Sequence, residues 1–163
     1  INKKTHIVVS KLPRNEDYLT NYDGYVVTTE HFDLANPVTK VDDIPDYEMY
    51  SQTIDSLNKR FGNRVLKGIE IGYIASEKDR IIDYLADKDY DLKLLSVHHN
   101  GQFDYLDDEV KDMDPAIVIP QYFAQLSEAL VVIEADVFAH FDYGFLYLKV
   151  FSMLLSIESH QFL

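Results

Sequence analysis

RVLKGIEIGY (64–73) reads as a strand, because Val65, Leu66, Ile69 and Ile71 make it apolar almost throughout. One carboxylate, Glu70, interrupts that run. A carboxylate buried in such a strand is costly unless it is paired or coordinates a cation. Working outward, Tyr47, Tyr50, Ile54, Leu57 and Phe61 recur at spacings of three and four, which predicts a helix over 46–61. SEKDRIIDYLAD (76–87) predicts a second helix, with Ser76 as N-cap and Ile81, Ile82 and Leu85 on one face. DLKLLSV (91–97) follows as a strand, and THIVVS (5–10) and GYVVTT (24–29) are β-branched runs of the same kind upstream. PAIVIPQYFAQLSEALVVI (115–133) predicts a helix in which Pro120 falls in the first turn or breaks it. DVFAH (136–140) is then a fifth strand, KVFSMLLSIES (149–159) a helix, and HQFL (160–163) the start of a sixth strand. Strands alternating with helices predict βαβ units and a parallel α/β sheet.

The 163 residues fit a single domain, 1–163, and no low-complexity or Gly/Ser-rich stretch marks a linker. Six strands would leave a parallel barrel open, and the end after an apolar pair, Phe162 and Leu163, favours a truncated barrel. No apolar run approaches the roughly 20 residues of a membrane helix, so a soluble, cytoplasmic protein with no membrane partner is expected. With 28 acidic against 15 basic residues the net charge is −13, which argues against a nucleic-acid partner. Cysteine is absent, so any metal must be held by His, Asp and Glu. There is no GxSxG nucleophile elbow and no Gly-rich phosphate loop among the 6 glycines.

Four stretches each run from a strand-like segment into a residue that binds metal well: VVTTEH (26–31), VLKGIE (65–70), LLSVHH (94–99) and DVFAH (136–140). In α/β barrels the chemistry sits at the C-terminal ends of the strands, where the loops face a common centre. His31, Glu70, His98 and His140 are therefore predicted to converge as metal ligands. Side-chain alternation allows only one of His98 and His99 to point inward, and His98 is preferred. Asp142 lies two residues beyond His140, placed to share a ligand role or to orient the imidazole. Glu70, His98 and Asp142 are thus also the candidate catalytic residues. A His/Glu set without Cys suits divalent zinc, manganese or iron. Two or three such ions would bind phosphate oxygens and lower the pKa of a bound water to give hydroxide, so the partner is a small-molecule phosphate ester.

TTEHFDL (28–34), GIEIGY (68–73), YDLKLLSVHHNGQFDY (90–105) and VFAHFDYGF (137–145) resemble, in order and spacing, the motifs of the PHP-domain histidinol-phosphatases. That resemblance implies a distorted, TIM-like (β/α)7 barrel, here incomplete at its C-terminal side, with a di- or trinuclear metal site. It also implies hydrolysis of L-histidinol phosphate in histidine biosynthesis, with His31, Glu70, His98 and His140 at ligand positions. The family opens with HxH at the end of its first strand, whereas Lys4-Thr5-His6 stands here. His6 remains a candidate ligand, but an ammonium at Lys4 has no lone pair to offer. Glu16 and Asp17 are loose matches to an acidic ligand expected nearby, and the family's final Asp-x-His strand is not reached. Leu146 stands where a phosphate-contacting basic residue often follows. Other implied readings are a PHP phosphoesterase for phosphotyrosine or a nucleotide, or an inactive PHP-like binding module.

Overall fold

The computed structural model describes residues 5–8, 19–21 and 23–148. Among them, five strands form one parallel sheet in sequence order: β1 (Thr5–Val8), β2 (Tyr25–Asp33), β3 (Val65–Gly72), β4 (Leu92–Ser96) and β5 (Val137–Phe138). Helices α1 (Tyr47–Phe61), α2 (Lys78–Leu85) and α3 (Pro115–Val132) cross between them. Parallel neighbours that never reverse order are the winding of a barrel arc; a doubly wound sheet would switch direction. As expected of an incomplete barrel, the sheet is open among the described residues, with β1 and β5 at its edges. The predicted helix 149–159 and strand 160–163 lie outside the described residues.

Local chemistry explains most element boundaries. Asp46 caps α1 by accepting from the Met49 amide at 3.0 Å, and Gly62 ends it in the left-handed region at φ 75°. Asn58 then clips the helix to the next strand, donating to the Val65 carbonyl at 2.9 Å and accepting from its amide at 2.8 Å. Tyr50, Ile54 and Leu57 form the buried face of α1, and the Tyr50 hydroxyl donates to the Thr28 carbonyl at 2.8 Å. Ser76 does not cap α2 as expected. It lies in a 3₁₀ turn, Ala75–Glu77, and Glu77 at the cap position holds Arg80 at 2.6 Å, so its carboxylate is not spent on the helix amides.

Pro120 neither sits in the first turn nor breaks α3, which runs through it to Val132. An interior proline costs about 3 kcal/mol. Burying Val118, Tyr122 and Leu126 at successive spacings of four offsets that, at roughly 1.5–3 kcal/mol for each large side chain. By length and composition this 18-residue helix could cross a membrane, contrary to expectation. In the fold it is a docked core helix, because Gln125 donates to the carbonyls of Tyr73 and His99 at 3.1 and 2.9 Å and Glu128 accepts from the Tyr73 hydroxyl at 2.9 Å.

β2 extends four residues past the predicted 24–29, to Asp33, because its ladder with β3 continues through His31 opposite Glu70 and Asp33 opposite Gly72. His31 consequently lies within the strand, not beyond its end. β5 is shorter than the predicted 136–140, pairing only at Val137 and Phe138. The core between sheet and helices is apolar and closed, with Ile69, Ile71, Ile81 and Val97 all fully buried. Ile69→Ala should lower the unfolding free energy by about 2–5 kcal/mol in a denaturant titration. A loss below about 1 kcal/mol would contradict its place at the centre of the core.

Candidate metal centre

The parallel register sets the site. His31 pairs with Glu70 and Glu70 with Leu94, so His31, Glu70 and Leu94 share one face of the sheet. Alternation along β4 and beyond it carries that face from Leu94 through Ser96 to His98. His99 falls on the other side, where it is buried with its pKa pushed down by burial, and its Nδ1 accepts from the Gly101 amide at 3.2 Å.

His140 reaches the same centre by a different route. Leu94 pairs with Val137, so simple alternation would put Val137 and Ala139 on the site face and turn His140 away. Instead His140 adopts φ 53°, in the left-handed region, and its Nε2 lies 3.3 Å from Glu70 Oε1. That conformation is strained for a residue with a Cβ and persists only where the surroundings hold it. Tyr122 supplies part of the hold by donating to the His140 carbonyl at 2.9 Å.

Three imidazoles thus present Nε2 to one carboxylate. His98 Nε2 is 3.1 Å from Glu70 Oε1, and His31 Nε2 is 3.6 Å from Oε2. Glu70 is only 1% exposed, and its Oε2 is buried without a hydrogen-bond partner. Ligand atoms of His31, Glu70 and His98 lie within 4.8 Å of one another. A half-satisfied buried carboxylate surrounded by imidazole nitrogens is the donor set that zinc or a similar divalent ion takes, so the residues fit the expected metal.

Asp33, a residue the sequence reading passed over, lies behind the rings. Its Oδ1 is 2.8 Å from His98 Nδ1 and its Oδ2 is 3.4 Å from His31 Nδ1. The two carboxylates and the imidazoles shift one another. Burial opposes charge on His98, but its hydrogen bonds to Asp33 and Glu70 outweigh burial and push its pKa up to about 10. The bond to Asp33 likewise raises His31 against burial. Burial would raise Glu70 and Asp33, yet the imidazoles hold both below their usual values.

Other expected residues are not brought here. Asp142 precedes the 3₁₀ turn Tyr143–Phe145 and is not among the residues lining the central cavity. In β1, His6 pairs with Val26, five residues before His31 along β2, or roughly 16 Å at strand rise. Lys4, Glu16 and Asp17 lie outside the described residues. The cavity, about 350 Å³, adds Asp43, Asp104 and Tyr143 to the ligand cluster, and the Tyr143 hydroxyl donates to Asp104 at 3.3 Å. Asp33 was legible in principle, since it lies two residues from His31 on one strand face. The loop residues Asp43, Asp104 and Tyr143 carried no such signal.

No family model matches the chain, and no curated protein matches it. A solved structure does: the histidinol phosphate phosphatase of Lactococcus lactis subsp. lactis Il1403, complexed with zinc, L-histidinol and phosphate. Its TM-score is 0.75 at 22% identity, over 87% of this chain and 59% of that one. The fold of this chain is therefore similar to that of part of this structure, of whose length it spans about 59%.

The raised His98 pKa sets a pH dependence for the metal-free chain. Its contribution is complete below the unfolded value of 6.5 and is lost as pH rises through about 10. Thermal melts of metal-free protein should fall in Tm between pH 7 and 10, and His98→Gln should flatten that decline. An unchanged decline in the variant would contradict the placement of His98 between the two carboxylates.

Proposed function

We propose that this chain belongs to a metal-dependent phosphomonoester hydrolase whose substrate is L-histidinol phosphate, cleaved to L-histidinol and phosphate. The observation that carries this reading is the convergence of His31, His98 and His140 Nε2 on the buried, half-satisfied carboxylate of Glu70. Divalent zinc, manganese or iron held there would supply Lewis-acid polarisation of the phosphoryl group and an activated water.

The cavity itself argues that a cation is needed. Asp33, Glu70, Asp43 and Asp104 line it, and its described lining includes no Lys or Arg. A phosphate group entering such a space meets net negative charge unless bound ions invert it. The protein's own groups then divide the work. Glu70 and the imidazoles would hold the ions. Asp43 and Asp104, on the cavity wall, complement the protonated amine of histidinol phosphate, and Tyr143 keeps Asp104 in place through its hydroxyl. A nucleotide brings no ammonium to that wall, and the ammonium of phosphotyrosine comes with a carboxylate that the wall repels, which favours histidinol phosphate over both. A place in histidine biosynthesis and a cytoplasmic setting belong to the same proposal.

Phosphate release should be measured with zinc, manganese or iron(II) on a panel of histidinol phosphate, phosphotyrosine and a nucleoside monophosphate. Preference for histidinol phosphate, absent without metal, is expected. Equal rates across the panel would overturn the substrate assignment. Glu70→Gln should weaken metal binding by more than about 100-fold and remove activity with it, exceeding the 10–100-fold typical of an outer residue. Survival of both would show that Glu70 is not a ligand.

A further inference from the structure

We infer that Asp33 is the positioning residue of this metal centre: its carboxylate grips His98 and His31 by their Nδ1 edges, reserves Nε2 of both for the ion, and fits only because residue 72 is glycine. The inference rests on the metal reading proposed above and goes beyond its ligand set.

The two rings are held on opposite edges by different carboxylates. On the Nδ1 edge Asp33 offers one oxygen to each ring, Oδ1 to His98 at 2.8 Å and Oδ2 to His31 at 3.4 Å. On the Nε2 edge both rings face Glu70. A carboxylate oxygen is only an acceptor, so the ring nitrogen turned toward Asp33 must carry the proton. Glu70 draws a proton to Nε2 in the same way in the metal-free chain, so the Nε2 lone pair becomes available when a cation displaces that proton while Nδ1–H stays with Asp33. One buried side chain, 7% exposed, therefore selects the same tautomer in two ligands from different strands. His140 has no such contact with Asp33, and its strained backbone orients it instead.

Asp33 is itself fixed from two directions. Its amide and carbonyl both pair with Asp43, at 2.9 and 2.7 Å, which anchors the end of β2 against the following loop. In the ladder it stands opposite Gly72, and a Cβ at Gly72 would overlap Asp33 Oδ1 and lie 3.2 Å from His98 Nδ1. The carboxylate occupies the volume that a side chain at 72 would take. The need for glycine is a matter of this close approach, since Gly72 is not among the residues with positive φ.

Zinc affinity of the full chain, measured by competition with a chromophoric chelator, tests this with Asp33→Ala, Asp33→Asn, Gly72→Ala and the Asp33→Ala/Gly72→Ala double variant. Circular dichroism would confirm folding in each. Asp33→Ala should weaken zinc binding by about 10–100-fold. Asp33→Asn, which keeps the volume and one acceptor, should fall between it and the wild type. Gly72→Ala should weaken binding comparably, but should add little once Asp33 is already alanine. Nitrogen-15 spectra of the histidine rings should show His31 and His98 as single Nδ1–H tautomers in zinc-loaded wild type and a loss of ordered ring signals in Asp33→Ala, a change that packing alone would not produce. Wild-type zinc affinity in Asp33→Ala would overturn the positioning role, as would a Gly72→Ala effect equally large in both backgrounds. A wild-type chain that binds no zinc would instead overturn the metal reading itself.

Discussion

A single carboxylate organises this structure. Glu70 sits at 1% exposure in the middle of the sheet, where an isolated ionised group would cost several kcal/mol. Three imidazoles from β2, the end of β4 and the turn after β5 meet it there, and the charge they share holds Glu70 ionised despite burial. Removing the imidazoles would leave a buried charge without compensation, and removing Glu70 would leave three rings facing an empty centre. The compensation is still incomplete, because Oε2 has no hydrogen bond. His31, His98, His140 and Glu70 would hold a divalent ion there, and its charge would supply the compensation that Oε2 lacks.

The parallel ladder makes the meeting possible. Register between β2 and β3 aligns His31 with Glu70 to the residue, and a slip by one would send either side chain to the helix-covered face. Helix α3 contributes at the far side, where Tyr122 packs over Gly144 and bonds the His140 carbonyl. A Cβ at Gly144 would overlap that tyrosine ring. The site is therefore held by the same packing that holds the fold, and its geometry does not depend on flexible loops alone.

Much of this was legible in the sequence because strand periodicity is strict. The apolar run around Glu70, the helix over 46–61 and the choice of His98 over His99 follow from alternation and spacing. The failures have physical causes. His140 reaches the centre by a left-handed backbone that no periodicity encodes, so its predicted delivery by a regular strand was wrong in route. Asp142 would share a ligand role or orient the imidazole if the chain stayed extended, but it turns into a 3₁₀ segment there. Asp33 does what was sought from Asp142 for other rings, since β2 continues far enough to keep it on the site face. Pro120 misled because burial of one helix face outweighs the loss of a single backbone hydrogen bond.

X-ray absorption spectroscopy of the zinc-loaded chain addresses the convergence on Glu70 most directly. It should show two or more imidazole nitrogens and carboxylate oxygen at about 2.0–2.2 Å from zinc, with the oxygen contribution reduced in Glu70→Gln. A shell of oxygen atoms without imidazole scattering, or an identical spectrum in Glu70→Gln, would contradict a metal centre built on that carboxylate.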